Sequence, residues 1–192
     1  IGTSVLVPIA LQSMYGLRAD QVALAMLPLS FSGPCGSILC GKLMSRMVSF
    51  RYLLAAGQSM CMTALLLLAI LMPAPGAGYA ALLALLGAGV GLTMPAVIAA
   101  SQMAAGPGQI GVATSTAALM RTLGGAVGVA VLGTVLFAVL GTAGGAVTDL
   151  SIVPRDTLVL GFRVTYGLSA AVSAASVYTA LRLPLANLQA AD

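Results

Sequence analysis

The sequence predicts an all-α membrane protein, a bundle of six apolar helices, and three observations predict it. Sixty per cent of the residues are hydrophobic and 6% are charged, against roughly 25% charged in an average soluble domain. Mean hydropathy is +1.09. The apolar stretches are broken at intervals by glycine, proline and charged residues. Most of them approach the ~20 residues that a helix needs to cross a hydrocarbon core about 30 Å thick.

Composition also removes several function classes. The net charge of +4 comes from eight basic and four acidic residues. Spread along a lipid-soluble chain, they form no stripe that could track a polyphosphate, so no nucleic-acid partner is expected. Histidine is absent, which closes most zinc and proton-relay chemistry. Cys35, Cys40 and Cys61 lie inside apolar runs at spacings unlike any metal or redox motif, and are expected as free core thiols. No metal site and no cofactor is expected. With no histidine, no acid at membrane depth and no lysine in a span, the hydrolase routes to an activated nucleophile are closed, so the chain is not read as an enzyme.

The elements follow in order. Segment A, residues 1–15, is too short to span. The chain opens on Ile1, already apolar and without a signal peptide, so A is expected to be a truncated first helix and the chain a piece of a longer protein. GLRAD, residues 16–20, is a turn in which Arg18 and Asp20 form a solvated pair. Segment B, residues 21–41, carries Pro28 and the run Ser32-Gly33-Pro34-Cys35-Gly36. It is expected to be kinked and packed inside the bundle, where neighbours satisfy the freed carbonyls. Lys42, Arg46 and Arg51 form a basic cluster with no acid among them, which places this loop on the cytoplasmic side. No charge occurs from Tyr52 to Met120. Two breaks, MPAPGAG at 72–78 and AAGPGQIG at 104–111, bound segments C (52–71) and D (79–102). Segment E covers 111–140, a glycine-rich polar loop follows, and segment F covers 158–183.

With the basic loop inside, counting crossings puts the loops after A, C and E outside and the tail with Arg182 inside. Six segments divide into A-B-C and D-E-F, and an odd number of crossings in each turns the second triplet over. That is the geometry of a 3+3 inverted repeat. The middle member of each triplet has a small-residue cluster, Gly33 to Gly36 in B and Gly124 to Gly128 in E.

Segment E contains one charge, Arg121. A guanidinium inside a span costs roughly 2.5 to 3.5 kcal/mol on insertion scales, so something must offset it. Gly124, Gly125 and Gly128 follow at helical spacing and leave a flat strip beside it. Arg121 either meets a polar substrate group or a second helix across this seam, or it snorkels to the cytoplasmic headgroups. The strip reads as the contact surface of a polytopic transporter. The ten methionines, Met26, Met94 and Met103 among them, read either as an adaptable wall for varied ligands or as core filling.

Several stretches together resemble the C-terminal half of a major facilitator superfamily transporter, nearest to the fourteen-span drug:proton antiporters of the EmrB/QacA type. Leu11-Gln12, Tyr15-Gly16, Ala23-Leu24 and Leu27-Pro28 stand where that family has its Leu-Gln, turn and Leu-Pro elements. Gly41-Lys42-Leu43-Met44-Ser45-Arg46, with Arg51 beyond, is similar to the superfamily's cytoplasmic Gly-x-x-x-Asp-Arg signature. Arg121-Thr122-Leu123-Gly124-Gly125-Ala126-Val127-Gly128 resembles the subfamily's Arg-Gln-Leu-Gly-Gly-Ala-x-Gly run, and Phe162-Arg163-x-x-Tyr166 also fits. Two departures weaken specific contacts. Ser45 replaces the usual Asp, and residues 102–111 lack the charges of a cytoplasmic latch.

The resemblance implies alternating-access export of small hydrophobic or cationic compounds, driven by protons, from a cell (inner) membrane. Its partners are then the lipid bilayer and the missing N-terminal half of the same transporter. It implies that A and D line the cavity, so that Gln12 and Thr93, together with Arg121, contact substrate. It also implies that Gly33, Pro34, Gly36, Gly124, Gly125 and Gly128 face the other half, packing within this half being the alternative. All four acids, Asp20, Asp149, Asp156 and Asp192, fall in loops or the tail, so a proton site would lie outside this chain. The competing functions are a carrier for another solute and a non-transporting scaffold subunit.

Overall fold

The computed structural model describes residues 2–45, 50–72, 76–105, 108–140 and 154–182. They form six helices: α1 (Gly2–Tyr15), α2 (Ala19–Met44), α3 (Phe50–Leu71), α4 (Ala77–Ala105), α5 (Ile110–Val139) and α6 (Arg155–Leu181). Five of these, α2 to α6, are long and apolar enough to cross a membrane. Large apolar side chains stand exposed along them, Leu24, Phe31, Val112 and Val127 each by more than 60%. In water such a surface would drive association; in lipid it is the expected outside of the protein.

The ends are set by local chemistry. Gly16 closes α1 in the left-handed region at φ +61°, its N–H donating to the Gln12 carbonyl. At the start of α2 the Arg18 N–H donates to the Gln21 side chain, and Asp20 sits in the first turn. The Arg18–Asp20 ion pair, 3.7 Å long with both side chains exposed, adds little. At the other end of α2, Ser45 donates to the Lys42 carbonyl. A neutral cap therefore stands where the signature would hold an acid. Gly41 is exposed, and the Arg51 guanidinium lies over the Tyr52 ring, 5.0 Å from its centroid. Arg46 lies outside the described residues, as do Asp149, Asp192 and most of the 141–157 loop.

Helix α4 runs between α2 and α3, and α3 packs in turn on α6. Looser contacts join α5 to α6 and α4, and α1 to α5, α6 and α2. Exchanging α1 with α4, α2 with α5 and α3 with α6, as a 3+3 repeat does, maps α2·α4 onto α5·α1, α3·α4 onto α6·α1 and α1·α2 onto α4·α5, whereas α5·α6 has no comparable counterpart between α2 and α3. The larger core lies where α1, α3 and α5 end and α4 and α6 begin, with Leu11, Leu68, Leu83, Leu136 and Phe162 among its members. A smaller cluster at the opposite end gathers Cys40, Leu53, Leu54, Leu92, Ala96 and Ala180.

The α2–α4 contact is backbone against backbone. A methyl on Gly91 would run into the Gly33 carbonyl, with the Gly33 Cα at 3.1 Å, and one on Gly36 would meet the Ala88 Cα at 3.1 Å. Gly33 and Gly36 therefore pack within this half. This close approach also corrects one expectation for segment B, its packing inside the bundle. Helix α2 stays a single helix through Pro28 and Pro34, and only Val22, Gly36 and Cys40 are buried along it. It is an edge helix, not an interior one, because small residues make contact without burying side chains. Pro34 and Cys35 are exposed on its other face, so Cys35 is not the core thiol expected of it.

Pro95 leaves the Gly91 carbonyl without its helical N–H donor. Ser37, across the interface on α2, donates to that carbonyl at 3.1 Å. Ser37→Ala is expected to destabilise the bundle by about 0.6 kcal/mol, a typical value for a polar contact in a membrane protein. The loss should shrink in a Pro95→Ala background, where a backbone N–H returns to Gly91. Thermal unfolding of the four proteins of this double-mutant cycle measures it.

Arg163 donates to the Ile70 carbonyl at 3.0 Å, one of the last carbonyls of α3. Arg163 thus acts as a cap that carries a positive charge to a helix C-terminus. Arg163→Met should lower stability by about 1 kcal/mol, and Arg163→Lys by less, as read from the unfolding midpoint in mild detergent.

Candidate functional site

A partly open cavity of about 820 Å³ lies between α2, α3, α4, α5 and α6. Its wall is mostly aliphatic, with Leu65, Leu86, Val90, Val97 and Ile98 from α3 and α4. Facing them is the first half of α5, from Thr114 through Ala117, Ala118 and Arg121 to Gly124 and Gly125. Because the larger core gathers at the far end of α5, where Leu132 and Leu136 are its buried residues, this near half stands off from the other helices.

Arg121 reaches across to α4, its guanidinium 3.0 Å from the Met94 sulfur. Met94 lies 11 residues before Ala105 and Arg121 lies 11 residues after Ile110. At 1.5 Å per residue both sit about 16 Å from the loop that joins these helices, roughly half the hydrocarbon thickness. The cation is therefore held across a cavity at mid-span instead of being drawn to the headgroups. A thioether is a weak acceptor, and it is the one hydrogen-bond partner of Arg121 among the described residues.

Thr93 lines the same cavity, but its hydroxyl already donates to the Gly89 carbonyl, 2.8 Å away, and lies against Gly57. Gly124 and Gly125 border the space beside Arg121. A methyl on Gly124 or Gly128 would meet nothing within 4 Å. The α5 strip is thus open where the α2 strip is closed. Gln12 is not part of this wall. It is exposed on α1, which contributes no residue to the cavity. Near the joining loop, Gln102 donates to the Thr114 hydroxyl at 2.9 Å, a neutral tie between α4 and α5 where the charges of a latch are absent.

Three polar residues enter the wall from helices that the resemblance did not assign to it: Gln58 from α3, and Ser173 and Ser176 from α6. Ser176 is back-bonded to the Val172 carbonyl at 3.0 Å. Gln58 was visible in the sequence as a polar residue inside a span, but hydropathy alone could not say which way it turned. Met94 is a wall residue, whereas Met26 packs beside the larger core and Met103 is exposed.

Among the described residues, six apolar helices, five of them long enough to cross a membrane and bordering a cavity at mid-span, define a polytopic membrane protein. The model of the Major Facilitator Superfamily matches residues 1–129, and the chain belongs to that family. No curated protein matches it.

Proposed function

We propose that this chain is the C-terminal half of a secondary carrier that exports small, largely hydrophobic compounds by alternating access. The observation that carries this reading is the mid-span cavity, aliphatic on most of its wall and bordered by Arg121 and the open α5 glycine strip. A bare helix face beside a cavity is a surface over which a second half can rock without unlocking side chains. Its volume falls in the range of small-molecule sites. The EmrB/QacA subfamily, and with it proton coupling and a multidrug range, rests on the Arg121 to Gly128 run and the Leu27-Pro28 and Phe162-Arg163 matches.

With the basic residues Lys42 and Arg51 on the cytoplasmic side of an inner membrane, the C-terminus is cytoplasmic too. The proton site is assigned to the N-terminal half, since the two acids among the described residues, Asp20 and Asp156, stand in first turns at helix ends. The test is flux. Inverted vesicles holding the full-length protein should take up at least one of a panel of neutral, cationic and anionic dyes when a proton gradient is imposed, and release it when the gradient is collapsed. If no dye moves in either condition, the carrier reading fails and a scaffold remains.

A further inference from the structure

The cavity is asymmetric in charge. Arg121 carries five N–H donors in a fixed fork, and among the described residues they meet one thioether and no carboxylate. No acid lines the wall among the described residues. The Gln58 amide and the Ser173 hydroxyl add neutral polarity, and neither has a hydrogen-bond partner among the described residues. A guanidinium at mid-span with no carboxylate beside it among the described residues attracts an anion. The same charge repels a cation, and nothing on this wall offsets the repulsion.

We propose that this cavity selects small amphiphiles carrying one anionic group, a carboxylate or sulfonate held by the Arg121 fork, with the apolar body laid along Leu86, Val90 and Val97. The resemblance implied hydrophobic or cationic compounds, and this cavity replaces the cationic class with an anionic one. A guanidinium fork can donate two parallel hydrogen bonds to two oxygens of such a head group, the planar pair of a carboxylate or two of the three oxygens of a sulfonate. The proposal names the substrate class of the carrier described above and rests on that reading for its transport consequence, while binding tests it alone.

A matched pair of probes decides it: anilinonaphthalenesulfonate and neutral phenylnaphthylamine, which share one ring system and differ by the sulfonate. Equilibrium binding to the full-length protein in vesicles of zwitterionic lipid is expected to favour the sulfonate by about tenfold or more, after subtraction of protein-free vesicles. Arg121→Gln should abolish the preference, and Arg121→Lys, which keeps the charge and loses the fork, should weaken it. Equal binding of the two probes by the unmodified protein overturns the proposal without reference to any variant. So does a preference that survives Arg121→Gln. Anionic phospholipid is the other source of such a head group, and loss of the preference when it is added to the vesicles would assign the fork to lipid and also overturn the proposal. In the flux assay, transport of the neutral probe alone would leave the carrier reading intact while sinking this one. Sulfonate binding without flux of any compound would do the reverse.

Discussion

Gly91→Ala is expected to lower the stability of the bundle by about 2 kcal/mol, and Gly91→Leu to prevent its assembly. The added methyl has no room, since it would sit on the Gly33 carbonyl and 2.8 Å from the Gly33 carbonyl carbon. Both obstacles are backbone, so relief requires α2 and α4 to separate. Overpacking of this kind typically costs 1 to 3 kcal/mol. Separation would also stretch the 3.1 Å Ser37 bond that serves the Gly91 carbonyl. Gly124→Ala is the control. It meets nothing within 4 Å, and it gains up to about 1 kcal/mol of helix propensity. Thermal unfolding in mild detergent should show Gly91→Ala well below the unmodified protein and Gly124→Ala at or above it. If the two substitutions shift the midpoint alike, the glycines of α2 and α4 do not form the contact described.

The second large effect separates stability from function. Arg121→Leu should leave the unfolding midpoint unchanged or raised, because a mid-span guanidinium costs roughly 2.5 to 3.5 kcal/mol on insertion scales and leucine removes that cost. Transport in vesicles should nevertheless fall at least tenfold, since the one cation on the cavity wall among the described residues would be gone. A residue kept against its own stability cost is the pattern expected of a functional site. Loss of folding together with loss of flux would instead make Arg121 a structural residue, clamped to Met94 for the sake of the α4–α5 contact.

The span of each helix was legible in the sequence, and its rotation was not. Hydropathy marks where a chain can sit in lipid, and the breaks at Gly16, at Gly76 to Gly78 and at Gly108 to Gly111 stand out against it. The observed helices run up to three residues beyond those apolar runs, since a polar residue such as Asp20 or Asp156 is accommodated in a first turn. Which face turns inward is another matter. In a water-soluble bundle the outside is polar, so a stripe reveals the core. Here Leu24 and Phe31 face outward while Leu83 and Leu86 face inward, with no difference in chemistry to tell them apart. That is why Gln12 could be expected in the cavity and is found exposed on α1. It is also why Gln58 and Ser173 were not assigned to the wall.

Arg121 was legible because charge, unlike apolarity, is costly in lipid and therefore informative. The glycine strips were legible only as strips. Gly33 and Gly36 pack on α4, while Gly124 and Gly128 meet open space, and nothing in the two patterns distinguishes them. The difference arises from α4, whose Gly87 and Gly91 mirror the α2 strip along a parallel neighbour. Hydroxyls followed a rule that the sequence does contain. Thr165 and Ser169, the buried polar residues of α6, donate to carbonyls four residues back at 2.7 and 2.9 Å, so each satisfies itself within its own helix.

The central claim is that the near half of α5 borders a solvent-reached carrier cavity, and cysteine accessibility tests it most directly. In a full-length protein with Cys35, Cys40 and Cys61 replaced, a cysteine at Gly124 should react with a membrane-impermeant maleimide, and a transported compound should protect it. A cysteine at Val172, 61% exposed on α6 and outside the cavity wall, should stay unmodified in the lipid. Equal silence at both positions, or labelling at Gly124 that no transported compound slows, would contradict the account.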